Sequence, residues 1–421
     1  MAARPIEVRG RRGQPLGMPP SRFLRDYWQK RPLLIRNAFA DFETSLSPDD
    51  LAGLACMDGG LARIVLRGDG KAKSPGSGRP RRVRNDAKNL GASIRQKDQW
   101  KILSGPFDDA TFAKLPKSHW TLLVQDVDKW DADTSALLEA FAFIPSWRID
   151  DVMVSYATDA GGVGAHVDQY DVFLLQGPGQ RRWSIDTRPN PPTAFRDDVE
   201  LKLLREFRPA HEWMLDPGDM LYLPPGVPHD GVAVGECMTF SIGMRAPAAG
   251  ELLFDFAAHL AEALPESQRF ADPDLKPAAD AGEIDNDALH RVRRTLGPAA
   301  AALDDHALAD WFGTFITRYR AAQLPIPRKH SIAPIALAKR LPHALLERDP
   351  WCRFAWCRRG HGARLYAAGN AFDAPVAWAR QLASGARVLA GSQLAKLPHR
   401  VQGIGLLATF IDAGYVTLRR R

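Results

Sequence analysis

Between residues 100 and 245 the chain is a series of short apolar runs that end in turn signals, and this pattern limits the fold more than any other feature. The turn signals include GGVG, GPG, DPGD and PPG. Short, closely spaced strands of this kind are typical of a β-sandwich or β-barrel. The sequence therefore predicts a mainly β domain whose strands include WTLLVQDV, DDVMVSYA, YDVFLLQG, RRWSIDT, MLYLPP and MTFSIGMR.

The pattern changes after this β region. Helical periodicity occurs at 250–265 and 287–322, and LPIPRKHS at 324–331 is typical of a linker. The tail mixes helical segments with the strand-like GARLYAAG and GYVTL, which indicates a small α+β module. The glycine-rich QGPGQ lies between two strands and is predicted to be a hairpin turn. We expect three parts, with boundaries at 1–249, 250–323 and 324–421.

Charge is unevenly distributed along the chain. Lys and Arg total 56 and Asp and Glu total 49, a net charge of +7. Residues 89–325 contain 36 acidic and 22 basic residues, whereas 326–421 contain 16 basic and four acidic ones. The stretch 67–90 is rich in Gly, Pro, Ser and Arg and reads as an inserted basic loop. An acidic middle suits a cationic substrate, and contact with ribosomal RNA is expected only in the basic segments.

Composition also indicates the compartment. The chain has four cysteines, too few for a disulfide scaffold. No apolar run approaches the roughly 18 residues of a membrane span, and MAARPIEVRGRRGQPLGMPP lacks the apolar core of a secretory signal. We therefore expect a cytoplasmic protein without membrane contact.

A group of polar residues within the β region indicates metal chemistry. In an extended segment His166 and Asp168 point to one face of a sheet. His229 follows a Pro-Pro-Gly turn that could return it over the same face. Two imidazoles and one carboxylate form the facial triad of non-heme Fe(II) oxygenases, which leaves three positions open. The alternative is a hairpin in which Asp168 caps a turn and His229 packs on prolines.

The segment GQRRWSI supports the metal interpretation. Alternation along a strand places Arg181, Trp183 and Ile185 on one face. An inward arginine in a β core needs an anion, because an unpaired buried charge is very costly. A guanidinium matches the two oxygens of a carboxylate. Arg182 points the other way and is expected to be solvated.

The chain resembles a known family. The segments that carry the resemblance are FLRDYWQKRPLLIRNAF, IPSWRIDDVMVSYA, GGVGAHVDQYDVFLLQG, RRWSI, LYLPPGVPHDG and SIGMRAP. They resemble the JmjC-type cupin dioxygenases and, more closely, the bacterial ribosomal oxygenases that hydroxylate an arginine of the large-subunit ribosomal protein L-sixteen. This resemblance implies a double-stranded β-helix at 1–249, a helical dimerisation segment at 250–323 and a winged-helix-like domain at 324–421.

The resemblance also implies the residues of the site. The family's iron ligands fall on His166, Asp168 and His229. Its 2-oxoglutarate-binding residues fall on Arg181 and Ser155. The implied cofactors are Fe(II), the cosubstrate 2-oxoglutarate and O₂.

The resulting prediction is a homodimeric 2-oxoglutarate-dependent hydroxylase that forms 3-hydroxyarginine on the L-sixteen protein. Three alternatives remain at this point. The first is the same chemistry on a histidine of another ribosomal protein. The second is a non-catalytic cupin that binds a ribosomal or nucleic-acid partner. The third is a nucleic-acid regulator that acts through the basic tail.

Overall fold

The computed structural model describes residues 6–11, 13–68, 100–273, 275, 286–301, 304–320 and 322–420. The basic insertion predicted at 67–90 lies almost entirely outside the described residues. The chain divides into two compact units, Met1–Ala246 and Pro247–Arg421. Among the helices within the described ranges, none is long and apolar enough to cross a membrane.

The first unit is mainly β. Its strands are β1 (Ile6–Arg9), β2 (Leu33–Arg36), β3 (Ala62–Arg67), β4 (Trp100–Ser104), β5 (Trp120–Val124), β6 (Ile149–Ala157), β7 (Val172–Gln176), β8 (Gln180–Ile185), β9 (His211–Leu215), β10 (Met220–Leu223), β11 (His229–Val234) and β12 (Cys237–Met244). Its helices are α1 (Pro20–Asp26), α2 (Pro48–Cys56), α3 (Asp109–Phe112), α4 (Val127–Trp130) and α5 (Ala132–Ala136), with 3₁₀ turns at Leu137–Phe141 and Ser146–Arg148.

These strands form two sheets. The larger has nine strands in the order β1-β2-β10-β7-β12-β6-β5-β3-β4, and the smaller has three in the order β11-β8-β9. All neighbours in both sheets are antiparallel except the parallel pair β1 and β2. The six predicted strands coincide with β5, β6, β7, β8, β10 and β12, so this part of the prediction is confirmed.

The prediction of a hairpin at QGPGQ is wrong. β7 belongs to the larger sheet and β8 to the smaller, so this turn carries the chain from one sheet to the other. Gly179 has φ +76°, and a Cβ there would lie 2.0 Å from the carbonyl oxygen of Glu236. Close packing against the turn before β12 therefore sets the direction of the crossing, and local sequence does not encode that contact.

Side chains alternate between the two faces of the larger sheet, as the pleat requires. Val154, Phe173 and Phe240 pack with the helices on the outer face. Leu174 and Leu221 point the other way and pack against residues of the smaller sheet, including Trp183 and Ile185. Polar residues of β6 and β12 that alternate with the outer-face residues therefore lie between the sheets.

The second unit combines helices with two small sheets. Its helices are α6 (Ala249–Ala263), α7 (Asn286–Ala301), α8 (Asp305–Arg318), α9 (Pro334–Arg340), α10 (Val376–Leu382), α11 (Gly391–Leu394) and α12 (Arg400–Asp412), with a 3₁₀ turn at Leu341–His343. Its strands are β13 (Ala344–Arg348), β14 (Phe354–Arg359), β15 (Gly362–Ala367), β16 (Asn370–Ala374), β17 (Val388–Ala390) and β18 (Val416–Arg420), paired in the orders β17-β13-β18 and β14-β15-β16.

Helix α8 joins the helical part of this unit to the hairpin of β14 and β15. Asp255 of α6 accepts a hydrogen bond from Trp311 Nε1 at 2.9 Å and pairs with Arg318. On another face of α8, Gly313 packs against the ring of Tyr366, where a Cβ would come within 2.4 Å. Glycine is required there because no larger residue allows the helix to approach the hairpin.

Candidate functional site

Three predicted ligand residues lie together at the edge of the smaller sheet. One ligand atom from each of His166, Asp168 and His229 lies within 4.8 Å of the others. Asp168 Oδ2 is 3.7 Å from His229 Nε2, and the two imidazole centroids are 4.2 Å apart. Within the described part of the chain, no other group of three or more His, Cys, Asp or Glu residues brings its ligand atoms this close together.

The imidazoles are oriented alike by the backbone. His166 Nδ1 is 2.8 Å from the carbonyl oxygen of Gly164, and His229 Nδ1 is 2.9 Å from that of Val227. A carbonyl oxygen can only accept, so each Nδ1 carries the proton and each Nε2 keeps its lone pair. This is the tautomer that a histidine ligand needs, with the second nitrogen held by a backbone acceptor. The donor set therefore fits a divalent transition metal.

The environment keeps one imidazole neutral. Burial lowers the pKa of His229 to about 4, and the neighbouring His166 acts in the same direction. At neutral pH the group is therefore uncharged and able to donate its lone pair. The indole of Trp183 lies 5.9 Å from the His229 ring and shields it. Gly231 leaves the room for this indole, because a Cβ there would lie 2.7 Å from the ring.

Backbone hydrogen bonds bring the two ligand segments together. His166 and His229 exchange N–H to carbonyl bonds, both 3.0 Å long. Gly226, in the Pro-Pro-Gly turn, donates to the carbonyl oxygen of Asp168 at 2.8 Å. His229 begins β11, whereas His166 forms only an isolated bridge. The extended strand expected for the His-x-Asp segment is therefore reduced to one bridge, yet both side chains reach the same site.

Arg181 and Ser155, the two residues that the resemblance implies for 2-oxoglutarate, lie between the two sheets. Arg181 is 5% exposed, and its Nη1 donates to Ser155 Oγ and to Thr239 Oγ1, both at 3.2 Å. Its Nε is buried and has no hydrogen-bond partner among the described residues. Burial lowers the pKa of this guanidinium, so the cation lies in an environment that an anion would stabilise.

Sequence reasoning missed the residues that hold Arg181. Thr239 contacts it directly, and Gln176 contacts Thr239. A signal for both was available in the sequence. Cys237, Thr239 and Ser241 alternate with large apolar residues on one buried strand, and Gln176 ends another. A row of small polar side chains on the inner face of a buried sheet indicates a polar cavity.

The chain matches known proteins over almost its whole length. Residues 136–252 match the JmjC domain and residues 300–417 match the ROXA-like winged helix. The ribosomal protein uL16 3-hydroxylase of Escherichia coli (strain K12) is 30% identical over 401 residues, which cover 93% of this chain and 96% of that protein. This chain belongs to the ribosomal oxygenase family.

Solved structures agree with this assignment. The X-ray structure of E. coli ycfD is 30% identical, covers 96% of this chain and 99% of its own, and has a TM-score of 0.77. A structure described as YcfD, a ribosomal oxygenase from E. coli, in complex with cobalt and 2-oxoglutarate has a TM-score of 0.73 at 29% identity, with the same coverage.

Family membership confirms the predicted fold, a JmjC cupin followed by a winged-helix-like module. It also confirms the predicted enzyme class: the protein is a 2-oxoglutarate-dependent hydroxylase. The alternatives of a non-catalytic cupin and of a nucleic-acid regulator are therefore not favoured.

Proposed function

We propose that this ribosomal oxygenase hydroxylates C3 of an arginine side chain in ribosomal protein uL16, the L-sixteen protein of the large subunit. One observation carries the proposal. The similarity to a uL16 3-hydroxylase extends over 93% of the chain and includes both the JmjC domain and the winged-helix-like module. The geometry of the site and the charge around it support the same substrate.

The cofactors are Fe(II), 2-oxoglutarate and O₂. His166, Asp168 and His229 would hold the metal through two imidazole nitrogens and one carboxylate. Arg181 and Ser155 would hold the distal carboxylate of 2-oxoglutarate. With Fe(II) and the dianionic cosubstrate bound, the charges of Asp168 and Arg181 make the site neutral, which suits a buried position.

The protein contributes orientation and shelter to the reaction. When bound, iron supplies oxidation of a C–H bond by O₂, with 2-oxoglutarate converted to succinate and CO₂. Two backbone carbonyls hold the imidazoles of His166 and His229 in the ligating tautomer. Trp183 and Ile185 pack between the sheets and exclude water from one side of the site. Metal ligands held in fixed positions and a wall that excludes water keep the reacting groups in position.

Acidic residues near the metal site favour a cationic side chain as substrate. Partial burial raises the pKa of Tyr170, and the carboxylates of Asp168 and Asp151 act in the same direction, so both acids lie within electrostatic range of this phenol. Burial also raises the pKa of Asp151 to about 7. A cationic group nearby would favour the charged form of this carboxylate, so the acidic surroundings favour a cationic side chain as substrate.

Mass spectrometry of ribosomal proteins tests the substrate directly. We expect uL16 from cells that contain the gene to carry one added oxygen, about 16 Da, on an arginine. The modification should disappear when the gene is deleted and return with the unaltered gene. It should not return with the gene for His166→Ala. Deletion cells that carry this variant are the control, because they contain the folded protein but lack an intact metal site.

The alternative substrate gives a different result in the same experiment. An added oxygen on a histidine of another ribosomal protein, with uL16 unmodified, would overturn the arginine proposal and leave the enzyme class intact. Unchanged masses for all ribosomal proteins would count against a ribosomal substrate altogether.

We also propose that α6 and α7 form a homodimer contact. Leu253 and Phe254 of α6 are 68% and 80% exposed, and Leu296 of α7 is 60% exposed. Exposed apolar side chains of this size on neighbouring segments favour a partner surface. Since the partner would be a second copy of the chain, each of these side chains would become buried in both copies.

Replacing Phe254 with aspartate should dissociate this dimer. We expect the unaltered protein to have a dimer mass in light scattering at micromolar concentration and Phe254→Asp to have a monomer mass. Two lost phenylalanine contacts, each about 1.5–3 kcal/mol, weaken association by roughly a hundredfold or more. Ile335→Asp is the matched control, because Ile335 is 77% exposed and lies on α9, outside the proposed contact on α6 and α7. A monomer mass for the unaltered protein would exclude the dimer.

Other features stay predictions. The division at 1–249, 250–323 and 324–421 remains our proposal for the functional parts. We propose ribosomal RNA contact through the basic residues of 326–421, since cationic segments bind phosphate. A ribosomal substrate also favours a cytoplasmic location.

A further inference from the structure

A chain of hydrogen bonds leads from the backbone to Arg181. Gln176 is fully buried, and its Nε2 donates to the carbonyl oxygens of Met238 at 3.0 Å and Gly179 at 3.2 Å. Its Oε1 is 3.4 Å from Thr239 Oγ1, which is 3.2 Å from Arg181 Nη1. Every group in this chain is buried, so each contact lacks competition from water.

The direction of each bond follows from the donors and acceptors. Carbonyl oxygens require a donor, so the amide of Gln176 must present its NH₂ to them and its Oε1 to Thr239. Thr239 then donates its hydroxyl proton to Gln176. Arg181 is a donor only, so the remaining lone pairs of Thr239 Oγ1 accept from Nη1. Gln176 therefore fixes Thr239 as an acceptor towards Arg181.

The same bonds determine which edge of the guanidinium is left for a ligand. Nη1 has two protons, and its two acceptors are the hydroxyls of Ser155 and Thr239. Nε is buried and has no acceptor among the described residues. A carboxylate can bind a guanidinium through Nε and Nη2 as two parallel hydrogen bonds. Nε therefore remains available to a ligand, since no acceptor among the described residues engages it.

We infer that Thr239, oriented by Gln176, is a positioning residue that anchors Nη1 of Arg181 and so directs the Nε edge towards the distal carboxylate of 2-oxoglutarate. The inference rests on the proposed function of Arg181 and adds two residues and a geometry to it. Thr239 acts through Arg181 and is not a catalytic residue.

Thr239 is better suited than Ser155 to be the permanent anchor. Threonine is branched at Cβ and restricted in χ1, whereas serine can change rotamer more freely. The Ser155 hydroxyl contacts the carbonyl oxygen of Thr239 at 3.5 Å, close to the 3.4 Å between Thr239 and Gln176, so rotamer freedom rather than bond length separates the two hydroxyls. Ser155 is therefore free to turn to the cosubstrate while Thr239 keeps Arg181 in place.

Binding of 2-oxoglutarate to the cobalt-loaded protein without O₂ tests this role. Calorimetry measures the affinity for the cosubstrate and, separately, for cobalt. We expect Thr239→Val, which removes only the hydroxyl, to weaken 2-oxoglutarate binding roughly tenfold, because hydrogen bonds to charged groups contribute about that factor or more. Cobalt affinity should stay within about twofold, and Thr239→Ser should recover most of the cosubstrate affinity, because it keeps the acceptor while its rotamer is less restricted than that of threonine.

Thr134→Val is the matched control. Thr134 of α5 is also buried, and its hydroxyl has no hydrogen-bond partner among the described residues. Cosubstrate affinity equal to that of the unaltered protein in Thr134→Val, together with a loss in Thr239→Val and recovery in Thr239→Ser, supports the inference. Unchanged affinity in Thr239→Val, or no recovery with serine in a variant of unchanged Tm, overturns it. If the unaltered protein binds no 2-oxoglutarate, the proposed function fails instead.

Discussion

Replacing His166 with alanine is expected to reduce 2-oxoglutarate turnover by at least about a hundredfold. Removing a group that hydrogen-bonds to a metal ligand already lowers metal affinity or activity 10- to 100-fold, and this change removes a ligand itself. His229 and Asp168, 3.7 Å apart, would remain as an incomplete pair. Succinate formation measures the turnover, and calorimetry with cobalt measures the loss of metal affinity.

His211→Ala is the matched control for this variant. His211 begins β9 in the same small sheet, and its ring stacks on Trp213 at 5.5 Å rather than joining the ligand group. We expect its turnover and metal affinity to stay close to those of the unaltered protein. Turnover by His166→Ala within twofold of the unaltered protein, with metal still bound, would falsify the assignment of the triad.

Replacing Arg181 with alanine should separate cosubstrate binding from metal binding. Removing one partner of a buried, hydrogen-bonded charge pair costs about 2–5 kcal/mol. We therefore expect the concentration of 2-oxoglutarate needed for half-maximal turnover to rise roughly 30- to 5,000-fold. Metal affinity should change by less than about twofold, because no ligand of the metal is altered. Steady-state kinetics and cobalt calorimetry measure the two effects.

The neighbouring arginine supplies the control. Arg182 precedes Trp183 on the opposite face of β8, its side chain is 46% exposed, and it pairs with Glu212 at 4.0 Å. Arg182→Ala should leave the requirement for 2-oxoglutarate unchanged, since a solvated surface pair contributes little. Equal losses of cosubstrate and metal binding in Arg181→Ala would show that this arginine supports the fold rather than the ligand.

The local sequence pattern was sufficient to predict many strands of the β domain and the inward orientation of Arg181. The central strands β7, β10 and β12 of the larger sheet are buried on both faces and are rich in Val, Leu, Phe and Met, so their runs stand out between turn residues. Alternation alone placed Arg181 inward with Trp183 and placed Arg182 outward, and the burial of β8 follows that alternation.

The smaller sheet was harder to predict. Its strands β9, which has the sequence HEWML, and β11, which has the sequence HDGVAV, contain polar residues and glycine and carry little apolar periodicity. They are strands because β8 lies between them and supplies hydrogen bonds to both. Pairing of this kind joins segments far apart in the chain, and propensity does not report it.

The sequence by itself determined the residue types that chemistry requires, the alternation that turns Arg181 inward and, through resemblance, the family. Only the tertiary structure decided which atoms meet. The crossing at Gly179 separates β7 from β8, so residues of the two sheets face each other. The bridge between His166 and His229 completes the triad, and Gln176 turns Thr239 towards Arg181. These contacts are long-range hydrogen bonds between buried groups, and their directions depend on partners that no local window of sequence contains.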